Sequence, residues 1–331
     1  MDNNKFKEYL LKSGADEQKA SKWTDILSEY QKYLEQKGTT IEKVKPEKIV
    51  EYSEKLVEEK SENVLDFLRI IINYANFSKR NEFITAVIDI FESFNAMDNL
   101  FIRVGENYGE EIRNEIFKDL VIPPLGVHPE KKPNFTKKVF KRIETKLGEE
   151  ESIKLLKPCL HGRPADDIEG DRKLLAELGI DQFLKRKHEE LIKRFEKHRD
   201  EGTMEFAQKV DNEVVDFIKK DQAMAEGIRE GNIIYVKKHP YQIKEYLHAK
   251  DNKMKRFYLC YCPWVRGAFK DGTDKEVTKH FCQCSGGWYK LYWDEIFEEP
   301  VRVEPVATAL DGDLECKFAV YLPERFVPKE K

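Results

Sequence analysis

The sequence predicts an α+β protein whose N-terminal part is entirely helical, and three observations support this. Apolar residues recur at steps of three and four over the first 120 residues, as on the buried face of a helix. Short segments after Gly231 instead alternate β-branched and aromatic residues with polar ones, as strands do. A proline-rich stretch separates the two patterns. We therefore expect a helical domain over 1–120, a linker over 121–135, and helices packed on a small antiparallel sheet over 136–331.

In the first domain the helical periodicity is clearest at 23–34, where the apolar positions form one stripe. The segment 64–75, VLDFLRIIINYA, is apolar on most sides and predicts the central helix of this domain. Further helices are expected at 42–57, 83–94 and 106–120.

The stretch 121–135 carries four of the thirteen prolines, and each proline removes a backbone donor and disfavours helix before it. It is therefore the predicted linker. Beyond it, the periodicity predicts helices at 136–147, 166–178, 182–198 and 203–226. The strand-like segments are NIIYVKK, RFYLCYC, VRVEPVATAL and LECKFAVYL.

Composition limits the classes of function. The 331 residues are 40% hydrophobic, without an apolar run long enough to span a membrane and without a secretory signal at the start, so we expect a cytoplasmic protein with no membrane partner. A net charge of −4 argues against a polycation that coats nucleic acid. The basic segment 185–199 interleaves acids with its bases and is interpreted as a solvated helix face. Nucleic acid is not an expected partner.

Six cysteines are too few for a disulfide scaffold in a chain of this length, so they are core residues or working thiols. Cys260 and Cys262 would share one face of a strand, and Cys282 and Cys284 form a second Cys-x-Cys pair. Four soft sulfur ligands suit tetrahedral zinc or an iron–sulfur cluster, and we expect at least three thiols to converge on one site. Zinc is preferred because a cluster usually requires four thiolates.

A helical stripe around the second pair supports a different interpretation. Val277, Phe281, Cys284, Trp288 and Leu291 lie at steps of four and three. On a continuous helix the two cysteines of this pair would diverge by roughly 200°, which leaves Cys284 as a small core residue. The glycine pair at 286–287 would then end a turn or let another backbone or a ligand approach closely.

A second candidate lies in the loop KPCLHGRPADD. Cys159 stands just before a helix that Asp166 or Asp167 could cap, and a thiol at a helix N-terminus is biased toward thiolate. His161 could serve as a ligand or a base. Together with Cys282, these two residues are the candidate catalytic groups.

Aromatic residues are concentrated near the cysteines, as an apolar ligand pocket requires. We expect Trp264, Arg266, Trp288 and Lys290 to bind a small apolar or heteroaromatic molecule that carries an anionic group. In the last hairpin Cys316 could lie across from Glu304 and Thr308 and complete a metal site, as could His280.

A recognisable pattern near the C-terminus comprises 282–293, Pro300, Glu304, Gly312 and Cys316. It resembles the 4-vinyl reductase type of small-molecule-binding domain and the L-2-amino-thiazoline-4-carboxylic acid hydrolase-like families. The resemblance implies a hydrophobic pocket beside a cysteine-and-carboxylate zinc site, with Cys282 or Cys284 and Cys316 as ligands. Where these families often have a further cysteine, this chain has Ala307 and Thr308. Residues 6–77 are similar in layout to the core-binding domain of tyrosine recombinases, but no recombinase catalytic residues follow.

Two functions are therefore compatible with the sequence. The first is a small-molecule-binding, sensory or regulatory protein with a cysteine-based, zinc-binding site, whose helical domain binds a protein partner or forms a homodimer. The second is a hydrolase or thiol enzyme acting on a small carboxylate, with a cysteine nucleophile or metal-activated water. Phosphate-binding loops, dinucleotide-binding motifs, serine elbows and HExxH helices do not occur in the sequence.

Overall fold

The computed structural model describes residues 2–163 and 167–326, and it shows the expected α+β architecture. The chain divides into two compact units. One comprises Met1–Phe94 with Pro123–Lys132, and the other comprises Asn95–Ile122 with Pro133–Lys331. None of the described helices is long and apolar enough to cross a membrane.

This division differs from the boundaries predicted at 120 and 135. The proline-rich stretch is not an unpacked linker, because most of it belongs to the first unit. There the backbone N–H of His128 donates to Glu54 at 3.0 Å, and Leu125 packs on the core of the first unit. At Gly126 a Cβ would lie 2.7 Å from side-chain atoms of Val57 and Val64. Prolines exclude regular structure here but do not prevent packing.

The first unit contains five helices that surround one apolar core. Its helices are α1 (Asn3–Lys12), α2 (Glu17–Gln36), α3 (Glu47–Glu58), α4 (Val64–Ser78) and α5 (Asn81–Phe91). The predicted stripe on α2 is buried, and α4 contributes Phe67, Leu68, Ile70, Ile71, Tyr74 and Ala75 to the core. Aromatic pairs such as Tyr30 with Phe67, 5.1 Å between ring centroids, join α2 to α4.

The second unit begins with helices whose breaks are set by glycines. Its first four helices are α6 (Ala96–Tyr108), α7 (Glu110–Phe117), α8 (Lys132–Leu147) and α9 (Glu149–Leu156). The single helix predicted at 106–120 is wrong, because Gly109 adopts a φ of 87° and separates α6 from α7. Helix α10 (Ile168–Glu201) covers both helices predicted between 166 and 198, with a kink at Gly179. The predicted start at Asp166 lies outside the described residues.

After α10 the structure departs from two predictions. The helix predicted at 203–226 is replaced by two short strands, β1 (Met204–Glu205) and β2 (Gln208–Lys209), and then α11 (Asn212–Lys219), because Gly202 ends α10 in a left-handed conformation. The strand predicted for RFYLCYC is also wrong. Its first four residues, 256–259, instead form the end of α13 (Asn252–Leu259), and Cys260 and Cys262 follow the helix without regular structure. The N-terminus of α13 is capped by the side chain of Asp251.

The predicted antiparallel sheet is present, with strand order β3-β4-β6-β5. Its strands are β3 (Ile228–Glu230), β4 (Ile233–Lys238), β5 (Val303–Ala307) and β6 (Cys316–Tyr321), and the remaining helices of the unit are α12 (Ile243–His248), α14 (Arg266–Asp271) and α15 (Gln283–Phe297). Val236 of β4 lies opposite Phe318 of β6, and Phe318 contacts Tyr289 of α15. This contact places the N-terminal half of α15, which carries Cys284, on the sheet.

Candidate metal centre

Two cysteines and one histidine meet at the start of α15. Cys159 and His161 follow α9 in the segment 157–163, and Cys284 is the second residue of α15. The two sulfur atoms are 3.8 Å apart, and a nitrogen of His161 completes a set of ligand atoms that all lie within 4.8 Å of one another. We call Cys159, His161 and Cys284 the triad.

A close approach between the segment 157–163 and α15 creates the triad. At Gly287, a Cβ would lie 2.6 Å from the backbone nitrogen of Cys159 and 2.8 Å from the carbonyl oxygen of Lys157. Any other residue at this position would therefore push the two backbones apart. The close approach of another backbone, which was predicted for the glycine pair, is confirmed at Gly287, whereas a Cβ at Gly286 would make only ordinary contacts.

Two polar side chains of α6 hold the same segment. The guanidinium of Arg103 donates to the carbonyl oxygens of Leu155 at 2.5 Å and Pro158 at 2.6 Å, and more weakly to that of Cys159 at 3.3 Å. Asn99 donates to the carbonyl of Leu160 at 2.5 Å. The carbonyl groups after the end of α9 are thus satisfied by side chains, so the segment can leave helical geometry while it is buried.

The two sulfurs share one proton unequally. A hydrogen bond from Cys284 is the largest cause that lowers the pKa of Cys159, to about 4, and His161 lowers it further, while burial opposes both. The pKa of the Cys284 thiol is raised, because it holds the proton that the Cys159 thiolate accepts, and burial adds to this rise. The backbone N–H of Leu160 also donates to the sulfur of Cys284, at 3.2 Å.

The thiolate tendency predicted for Cys159 therefore has a different cause from the one proposed. The predicted cause was the N-terminus of the following helix, α10. Asp167 does cap that helix, by accepting from the N–H of Gly170, whereas Asp166 lies outside the described residues. The pKa of Cys159 responds instead above all to Cys284, which is distant in sequence, and also to His161, two residues away.

The donor set fits zinc. Zinc accepts cysteine sulfur and histidine nitrogen, and two sulfurs about 2.3 Å from a tetrahedral ion lie about 3.8 Å apart, which is also the separation observed here. The same separation allows the hydrogen bond of a metal-free pair. Three protein ligands leave a fourth position open. An iron–sulfur cluster fits less well, because the triad supplies only two of the four thiolates such a cluster usually requires.

Aromatic and charged groups surround the histidine of the triad. The ring of His161 lies 5.6 Å from that of Trp288, and the guanidinium of Arg163 lies 5.2 Å from Trp288 and 4.3 Å from Tyr292. Arg163 also approaches Glu226 at 3.9 Å. The imidazole of the triad therefore lies beside an aromatic ring that also contacts a guanidinium.

The other four cysteines, Cys260, Cys262, Cys282 and Cys316, were predicted as ligands together with Cys284. Within 2–163 and 167–326, they do not form a group of three or more ligand atoms as close as the triad. They are still near one another, since Cys316 and Cys260 both raise the pKa of Cys282, after burial as the main cause. We call these four the β6 thiols, because they gather around the first residue of β6.

The four residues predicted to bind a ligand have different surroundings in the described part of the chain. Trp264 is fully buried, and Arg266 is buried against the rings of Tyr241 and Phe257. Lys290 pairs with Asp294 at 2.7 Å. Trp288 is the member of the predicted set that contacts the triad, through His161.

Two further candidate ligands have other partners. His280 pairs with Glu149 at 2.6 Å, and Glu304 pairs with Lys157 at 2.8 Å. Of two open clefts, the one of about 710 Å³ is lined mainly by lysines and acidic residues, and the one of about 380 Å³ by a mixture of apolar and charged residues. None of the four predicted ligand-binding residues lines either cleft.

No protein-family model, curated protein or solved structure matches the chain. The case for function therefore depends on the geometry of the triad and on the resemblance described above.

Proposed function

We propose that the protein is a ligand-responsive regulatory protein that binds zinc through Cys159, His161 and Cys284. One observation carries the proposal: two buried sulfurs and an imidazole nitrogen, from segments 125 residues apart, lie within 4.8 Å of one another. The ordinary structural alternative, a pair of core cysteines, does not require a histidine beside them or a lowered pKa at one of them.

The proposed ligand is a small heteroaromatic or apolar molecule with an anionic group. When bound, zinc would supply a Lewis-acid position that accepts such a group. Trp288 would contact the ring of the ligand, and the guanidinium of Arg163, which lies near Trp288 and Tyr292, would balance its charge. The resemblance to 4-vinyl reductase-type domains supports the same class of ligand.

A second candidate is a hydrolase that acts on a small carboxylate, in line with the second family resemblance. The observation that favours it is the lowered pKa of Cys159, since a thiolate at neutral pH is a nucleophile. Burial argues against turnover, because Cys159 and Cys284 are only 5% and 6% exposed. A regulatory role is therefore the better supported of the two.

Metal analysis of the full chain, purified without chelator, tests the proposal. We expect about one zinc per chain, and a cobalt-substituted sample should show sulfur-to-metal charge-transfer absorption. Cys159→Ser, Cys284→Ser and His161→Ala should each lower zinc content strongly. Cys316→Ser is the matched control, because it also removes one buried thiol, and it should keep the zinc. Zinc retained in Cys159→Ser but lost in Cys316→Ser would show that the β6 thiols, and not the triad, bind the metal.

Turnover separates the two functions. The zinc-loaded chain should be stabilised in a thermal-shift screen by heteroaromatic carboxylates more than by neutral polar compounds, without consuming them. If the unaltered chain hydrolyses such a compound and Cys159→Ser does not, the protein is a hydrolase instead.

A further inference from the structure

The two sulfurs of the triad are placed so that they can bind a metal or bind each other. They are 3.8 Å apart, and a disulfide requires about 2.0 Å. The backbone at Cys159 is already pressed against α15, since a Cβ on Gly287 would lie 2.6 Å from the Cys159 nitrogen. The two sulfurs must therefore approach each other by a further distance of about 1.8 Å (3.8 − 2.0 Å) to form the bond.

Most of the hydrogen bonds that hold the segment 157–163 end on carbonyl oxygens and not on sulfur. Arg103 and Asn99 donate to such carbonyl groups, whereas the N–H of Leu160 donates to the sulfur of Cys284. The segment can therefore stay in place while the sulfurs exchange their bonds to zinc for a bond to each other. Cys159 and Cys284 are only 5% and 6% exposed and His161 is partly exposed, so the oxidant that reaches the sulfurs must be small.

We infer that the triad is a redox-controlled zinc site, in which a hydroperoxide converts Cys159 and Cys284 into a disulfide and releases the metal. This inference depends on the proposed zinc site. Oxidation would then regulate the site in addition to the ligand that the site would bind.

The reaction balances with a hydroperoxide as the only oxidant. One sulfur attacks the peroxide, the O–O bond breaks, and a sulfenic acid forms as hydroxide or alkoxide leaves. The second sulfur then attacks the sulfenic sulfur, the S–O bond breaks, hydroxide leaves, and the S–S bond forms. Two thiolates lose two electrons in total, and the peroxide accepts both. A disulfide lacks the thiolate charge that zinc requires, so the ion leaves.

Titration of the zinc-loaded full chain with hydrogen peroxide tests this inference. We expect release of about one zinc per chain, measured with a colorimetric chelator, together with a fall from six to four free thiols. A thiol reductant followed by zinc should restore both values.

Peptide mapping identifies the linked residues without any variant. Trypsin yields peptide 280–290, which carries both Cys282 and Cys284, so fragment ions across Gln283 are needed to assign the link to Cys159. Cys316→Ser is the matched control and should form the same disulfide and release the same zinc. Cys284→Ser should form no disulfide at Cys159.

The outcomes distinguish the two proposals. A chain that binds no zinc before oxidation overturns the proposed function, and the redox inference with it. A chain that binds zinc but keeps it under peroxide, or loses it while Cys159 and Cys284 stay unlinked, overturns the redox inference alone. A disulfide among the β6 thiols that accompanies zinc release would do the same.

Discussion

The triad and the β6 thiols are two cysteine clusters of the second unit, and one sulfur distinguishes them: the pKa of Cys159 is lowered, whereas those of Cys260, Cys282 and Cys316 are raised. Burial is the main cause that raises the pKa of Cys260 and Cys282, and it raises that of Cys316 to about 12. In the triad, burial also opposes the thiolate. The hydrogen bond from Cys284 and the effect of His161 together outweigh burial and lower the pKa of Cys159. Hydrogen-bond donors, and not burial alone, therefore decide which cysteine is a thiolate.

The largest expected effect of this difference is on thiolate content. In metal-free protein at pH 7, Cys159 should be almost fully ionised, whereas an ordinary cysteine would be roughly 3% thiolate. Ultraviolet thiolate absorbance should therefore report about one thiolate per chain. It should disappear in Cys159→Ser and persist in Cys316→Ser. Cys284→Ala should raise the pKa of Cys159, because it removes the main hydrogen bond. Equal absorbance in all variants would show that the two regions do not differ.

The second prediction concerns the packing that creates the triad. Gly287→Ala should destabilise the fold by about 1–3 kcal/mol, because the new Cβ would meet backbone atoms that cannot move cheaply. It should also reduce zinc binding. The free energy of unfolding from urea denaturation and the zinc content check this expectation.

Gly286→Ala is the matched control one residue away. Its Cβ would lie 3.8 Å or more from its nearest neighbours, so it should be neutral or stabilising by up to about 1 kcal/mol through helix propensity. Equal stability of the two variants would contradict the close approach proposed for Gly287.

The smallest expected effect tests whether burial also keeps other groups neutral near the β6 thiols. His239 follows Lys238, the β4 partner of Cys316, and burial is the main cause that lowers its pKa to about 4. Arg194 and Lys238 act in the same direction, and Tyr261 contacts the ring at 2.8 Å. Because the unfolded histidine takes up a proton near pH 6.5 and the folded one does not, stability should fall as the pH decreases from about 6.5 toward 4.

Between pH 7 and 5.5 this loss should be about 1 kcal/mol. His239→Gln should remove that part of the pH dependence, measured by urea denaturation at each pH. A variant with the same slope as the unaltered chain would show that His239 is not neutralised by its surroundings.

Local pattern was sufficient for much of the fold. The α2 stripe, the apolar α4 and three of the four predicted strands follow from the periodicity of apolar residues, and each is present. The strand predicted for RFYLCYC is absent because so short a run of aromatic and apolar residues also fits the end of a helix, which here stops at Leu259. The helix predicted at 203–226 failed because Gly202 allows a left-handed turn that periodicity does not register.

The sequence by itself determined which residues could act: the thiols, His161 in a loop that contains Pro158 and Gly162, and a glycine pair that permits a close approach. It also indicated that Cys284 faces the core and diverges from Cys282. Only the tertiary structure decided that Cys284 meets Cys159, 125 residues away, and that Cys260 and Cys262 lie elsewhere. The physical reason is that periodicity fixes the face on which a side chain lies, whereas its partner, and hence its pKa, depends on which segment packs against that face.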